Sequence, residues 1–259
     1  MSSVKVRKHP RLLRYIQRLQ GDIPWGTFLD AGTGVQSIRW ITDLSTEKWT
    51  AVSASPRHAE RVRNAIKGQQ RSNDQIVLGN WVDPDLLKGQ TYDTVMADYL
   101  LGAIEGYAPY FQPYLFSRLR PLTRRILYVK GLEPYVSTMR PKSHAGRILW
   151  EIGRFRDACV LHGNDQPYRE YPAKWVVDHL NMAGFAVRKV KHFDIRYKKL
   201  FVNAQIDVCA PVLEKLRDRD LASALKTRGE ALRAEALEVI NSEGALCSGR
   251  NYVIAAEPV

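Results

Sequence analysis

Apolar positions along the chain repeat with two different periods. Residues 27–30, 49–52, 75–78, 92–97 and 125–129 are short, largely apolar runs, the pattern of parallel strands buried on both faces. Residues 11–19 instead place Leu12, Leu13, Ile16 and Leu19 at helical spacing behind Pro10, predicting an amphipathic N-terminal helix over 10–20. A second helix opens near Val35 and ends near Asp43. A third starts at Pro56, with Ser55 as its N-cap, and runs to Lys67. Strands and helices in alternation predict an α/β protein with a parallel sheet.

The spacing then changes. About forty residues separate the fifth strand from a helix over 172–183, far more than an ordinary connection. Within this insert, about residues 134–171, positions 143–157 show helical periodicity through Ile148, Ile152 and Phe155. A sixth strand over 185–193 alternates apolar and polar residues, and 251–256 is a final strand. Between them, about residues 197–246, helices are expected over 203–217 and 221–240. The chain is read as one domain, 1–259, carrying these two helical insertions, which would form a substrate pocket, a lid or a homodimer surface.

One stretch carries candidate chemistry. Asp30-Ala31-Gly32-Thr33-Gly34-Val35 puts an acid and two glycines between the first strand and the next helix. The glycines remove β-carbons that would keep a ligand off the backbone, and they allow positive φ. Amides at the helix start lack intrahelical partners and point at whatever sits there. A dinucleotide fold would want a third glycine, but that position is Ser37. A carboxylate would repel a pyrophosphate, whereas it suits a ligand bearing an ammonium group.

The D-x-G-x-G pattern resembles motif I of the class I S-adenosylmethionine (SAM)-dependent methyltransferases. The resemblance covers roughly residues 25–135, 172–195 and 250–257. It implies a doubly wound, Rossmann-like sheet of seven strands, mostly parallel with an antiparallel last strand, plus the helical insertions. It also implies SAM as cofactor, held by Asp30, Ala31, Gly32, Gly34, Ser53, Ala54, Asn80, Trp81, Asp98 and Tyr99. Two positions depart from the family: Ser53 stands where an acid usually holds the ribose, and Asn80 where an Asp usually meets the adenine. A neutral Ser53 gives a weaker hydrogen bond than a carboxylate would. Trp81 could cover a face of the adenine or fill the core.

Methyl transfer from a sulfonium is an in-line displacement, and a general base is required only when the acceptor carries a proton. Asp98, Glu133 and His144 are the catalytic candidates, with Glu105 and His162 behind them. Tyr99, Tyr107, Tyr110, Tyr168 and Tyr171 are candidates for the acceptor pocket. Tyr107, Tyr110 and Tyr114 would share one face if helical, which Pro109 and Pro113 oppose.

A net charge of +12 leaves three readings open: a phosphate-binding face, a funnel for acidic substrates, or a solvated basic surface. The basic groups are Lys5, Arg7, Lys8, Arg11, Arg14 and Arg18; then Arg118, Arg120, Arg124 and Arg125; then Arg188, Lys189, Lys191, Arg196, Lys198 and Lys199. No nucleic-acid-binding signature accompanies them, and neither the N-P-P-Y motif nor a paired-cysteine motif of nucleic-acid methyltransferases is present. The expected partner is therefore a small molecule, with RNA methylation as the alternative and a non-catalytic nucleotide-binding module behind it. An NAD-dependent oxidoreductase lacks its Tyr-x-x-x-Lys relay. Three scattered cysteines without metal-ligand spacing, no apolar run long enough for a membrane and no apolar leader at the N-terminus point to a cytoplasmic protein.

Overall fold

The computed structural model describes residues 9–136 and 139–259. Lys5, Arg7 and Lys8 of the first basic group lie outside the described residues. The chain forms two compact units, the first from Met1–Gly131, Ala173–Lys191 and Tyr252–Val259, the second from Leu132–Pro172 and His192–Asn251.

Helix α1 (Arg11–Gln20) precedes β1 (Thr27–Asp30), α2 (Val35–Ile41), β2 (Lys48–Ser53), α3 (Pro56–Ala65), β3 (Gln75–Leu78) and β4 (Tyr92–Asp98). Then come α4 (Leu100–Ala103), α5 (Gln112–Leu119) and β5 (Thr123–Leu132). After these follow α6 (His144–His162), α7 (Ala173–Met182), β6 (Phe185–Tyr197), α8 (Lys199–Asp207), α9 (Ala210–Lys215), α10 (Arg219–Glu243) and β7 (Leu246–Pro258). The seven strands form one sheet in the order β3-β2-β1-β4-β5-β7-β6. β1 through β5 pair in parallel. β7 runs antiparallel to β5: the Glu133 amide donates to the Arg250 carbonyl, and Tyr252 lies over Gly131. This is the seven-stranded doubly wound sheet that the sequence resemblance implied.

The core of the first unit forms because β1 and β4 are apolar on both faces and occupy the sheet centre. Phe28 and Leu29 are fully buried, and Trp25, Phe28, Trp40 and Tyr128 cluster with ring centroids 5.4 to 6.4 Å apart. The Tyr128 hydroxyl donates to Gln20 at 2.8 Å, tying the end of α1 to β5. In the second unit, Ile148, Leu149, Ile152 and Phe155 of α6 share an apolar core with Val202 and Ile206 of α8 and Leu232 and Ala236 of α10. Ser55 caps α3 as expected, accepting from the His58 amide at 3.2 Å.

Several expectations are corrected. The single helix over 203–217 is two helices, broken at Val208–Cys209, because Pro211 has no amide and its ring would strike the carbonyl of Asp207. Helix α6 continues to His162, β6 to Tyr197, and β7 starts at Leu246. Gly32 and Gly34 do not have positive φ. Gly32 is required for close approach, since a β-carbon there would lie 2.8 Å from Leu100 Cδ1. Tyr107, Tyr110 and Tyr114 share no helical face: only Tyr114 is helical, Tyr110 has φ +68°, and all three are exposed.

Gly26, just before β1, does need its freedom. Its φ is +59°, and a β-carbon would fall 2.3 Å from Asp93 Oδ2. That oxygen accepts from the Thr27 amide and hydroxyl, both at 2.9 Å, and from Arg124 at 2.8 Å. Gly26→Ala should therefore destabilise the protein by about 2 kcal/mol or more, from backbone strain plus overpacking. Denaturant unfolding checks this, and an unchanged midpoint would contradict it.

Candidate functional site

The strand order reverses between β1 and β4, so the chain leaves their carboxyl ends in opposite directions and opens a crevice there. β1 ends at Asp30 and β4 at Asp98. Each acid closes the apolar run of its strand, β1 over four residues and β4 over seven. β4 pairs with β5 so that Asp98 stands opposite Lys130.

Asp30 is fully buried. Its Oδ2 accepts from the Ser37 hydroxyl at 2.8 Å, and the same hydroxyl accepts from the Gly34 amide at 2.9 Å, holding the turn closed over α2. Asp30 Oδ1 is buried with no hydrogen-bond partner among the described residues. Asp98 Oδ1 lies 2.6 Å from Lys130 Nζ, with both side chains more than nine-tenths buried. Two buried carboxyl groups thus face a single buried ammonium. Burial and the neighbouring Asp98 push the Asp30 carboxyl up to about 7, with the Ser37 and Thr33 hydroxyls and Lys130 offsetting part of the rise.

The other cofactor candidates of the first unit surround this turn through the backbone. The Ala31 amide donates to Met96 and the Thr33 amide to Val52, while the Trp81 indole donates to the Ala31 carbonyl at 2.7 Å. Trp81 is 4 % exposed, so its ring sits in the core and braces the turn. Ser53 ends β2, its hydroxyl donating to the Ser55 carbonyl at 3.2 Å and accepting from the Ser55 amide at 3.3 Å, with Ala54 between them. Asn80 donates to the Tyr107 carbonyl at 2.7 Å. Tyr99 follows β4 in the left-handed region at φ +50°, with Lys130 Nζ 4.8 Å from its ring centroid. Tyr110 is 84 % exposed.

The remaining candidates belong to the second unit. Glu133 Oε1 lies 2.9 Å from His192 Nε2. His144 is exposed at the start of α6. Tyr168 lines a cavity of about 360 Å³, and Tyr171 is half-buried beside that segment. Sequence reasoning missed Lys130 and His192 as partners, because each becomes visible only through strand pairing. Ser37 was noticed only as an absent glycine.

The Asp30 environment fixes a pH dependence. The unfolded carboxyl loses its proton near 4 and the folded one near 7, so the folded state binds more protons over that window. Asp30 should therefore contribute a loss of stability as pH rises from about 4 to about 7. Asp30→Asn keeps an acceptor for Ser37 and removes the Asp30 share of the slope, making the dependence on pH less steep in that direction. Thermal unfolding midpoints of both proteins across the window check it, and identical pH profiles would contradict it.

No protein-family model matches the chain, and no curated protein matches it in sequence. Solved structures match its fold. A cyclopropane-fatty-acyl-phospholipid synthase-like protein from Lactobacillus casei is 13% identical, with a TM-score of 0.61 over 95% of this chain and 88% of its own. The mycolic acid cyclopropane synthase CmaA1, crystallised with SAH and CTAB, is 14% identical at TM-score 0.53, over 93% and 83%. The magnesium protoporphyrin IX methyltransferase ChlM from Synechocystis, with bound SAH, is 14% identical at TM-score 0.51, over 96% and 80%. The chain therefore has the Rossmann-like fold of the class I SAM-dependent methyltransferases.

Proposed function

We propose that the protein is a SAM-dependent methyltransferase acting on a small metabolite in the cytoplasm, with the cofactor held at the ends of β1 and β4. The observation that carries this reading is the surplus of buried negative charge there, Asp30 and Asp98 against Lys130 alone, with Asp30 Oδ1 lacking a partner. A buried carboxylate without a counter-charge is costly, and a cationic ligand with a donor removes that cost. SAM fits, since its methionine end carries an ammonium. When bound it supplies a sulfonium methyl that is already activated for displacement.

In this reading Asp30 binds the ammonium, and Ser37 keeps the carboxylate oriented through its hydrogen bond. Lys130 fixes Asp98 at the rim, which makes Asp98 a positioning group rather than a free base. Gly34 leaves room beside the turn, since a β-carbon there would come no closer than 3.9 Å to any neighbour. Holding the reactants in line contributes much of the acceleration. The small-molecule reading is supported by the lack of any nucleic-acid motif in the sequence.

Calorimetric titration tests the cofactor assignment. SAM should bind the wild type, and Asp30→Asn should weaken it roughly tenfold to a hundredfold, the loss of a hydrogen bond to a charged group worth about 1.5–3 kcal/mol. Unchanged affinity in Asp30→Asn, or preference of the wild type for NAD, would sink it. For the acceptor, methyl incorporation should appear when a metabolite extract is offered with SAM. Salt-sensitive binding and methylation of total RNA would overturn the small-molecule reading.

A further inference from the structure

The second unit contains a cavity of about 360 Å³, at the small end of the range for ligand sites. Tyr135, Tyr168 and Phe201 supply aromatic walls, and Arg156, Asp157, Arg169 and Glu170 supply charge. Arg156 is already committed. Arg156 donates to Asp157 Oδ1 from Nε at 2.9 Å and Nη2 at 2.5 Å, and from Nη1 to the Tyr135 hydroxyl at 2.6 Å and Gln205 Oε1 at 2.7 Å. Asp157 pairs with its guanidinium, and one N–H remains.

Glu170 is different. It lines the cavity with no hydrogen bond to any described residue, and Arg156 acts on it only through its charge. Burial pushes the Glu170 carboxyl up to about 7, as expected of an acid without donors around it. Aromatic walls beside a half-buried carboxyl that receives no hydrogen bond from any described residue suit an organic cation, whose charge meets the acid and whose frame meets the rings.

We propose that this cavity binds a small amine, its ammonium against Glu170 and its carbon frame among Tyr135, Tyr168 and Phe201. The proposal concerns binding by the second unit and does not rest on the methyl-transfer reading, so either can fail alone.

The test is calorimetric titration of the full-length protein with three probes of one shape: 2-phenylethylamine, 2-phenylethanol and phenylacetate. The amine should bind at least tenfold tighter than the alcohol, and phenylacetate weakest. Glu170→Gln should lose that preference at least tenfold with an unfolding midpoint no lower than that of the wild type, since it removes an acid that burial disfavours as a carboxylate. Tyr168→Ala, at a half-exposed ring, should weaken the amine and alcohol together. Equal binding of amine and alcohol, preference for phenylacetate, no binding at millimolar concentration, or an unchanged amine affinity in Glu170→Gln would each overturn the proposal. If Glu170→Gln does not fold, the order of the three probes on the wild type and the effect of Tyr168→Ala still decide it.

Discussion

Two carboxyl groups buried beside one ammonium is the constraint on which the rest of the first unit depends. Asp30 and Asp98 sit at the ends of the two central strands, where neither can be moved into water without breaking the sheet. Lys130 pairs with one of them, and the Ser37 hydroxyl donates to the other. The fold therefore stores an electrostatic deficit at the point where a doubly wound sheet binds its ligands. Sites of function are where such local costs are expected to persist.

The surroundings of the turn are consistent with a site that must not move. Trp81 braces the Ala31 carbonyl, the His58 ring meets the Thr33 carbonyl at 3.0 Å, and Gly32 lets Leu100 close against the turn. Each contact fixes backbone rather than offering a side chain. Positioning of this kind is what an in-line displacement needs, because a small error in placement is costly to the rate.

Much of the first unit was legible in the sequence because parallel strands buried on both faces leave continuous apolar runs, and glycines and prolines punctuate them. The strands over 27–30 and 75–78 and the N-cap at Ser55 follow directly from such signals. Pairings were not legible. Asp98 with Lys130 and Glu133 with His192 depend on register and strand order, which a single chain's periodicity does not encode. The reason for Gly32 was also hidden, since its neighbour Leu100 is 68 residues away. In the second unit, helical periodicity located α6 and α10, but the break before Pro211 and the cavity lined by Tyr168 and Glu170 depend on tertiary packing.

The most direct measurement of the central claim is the number of protons released when SAM binds near pH 6.5, from calorimetry in buffers of different ionisation enthalpy. With the Asp30 carboxyl at about 7 in the free protein, a cation bound against it should displace most of a proton, and the release should vanish in Asp30→Asn. Binding without proton release in the wild type would show that Asp30 does not face the ligand's positive charge, and would contradict the account.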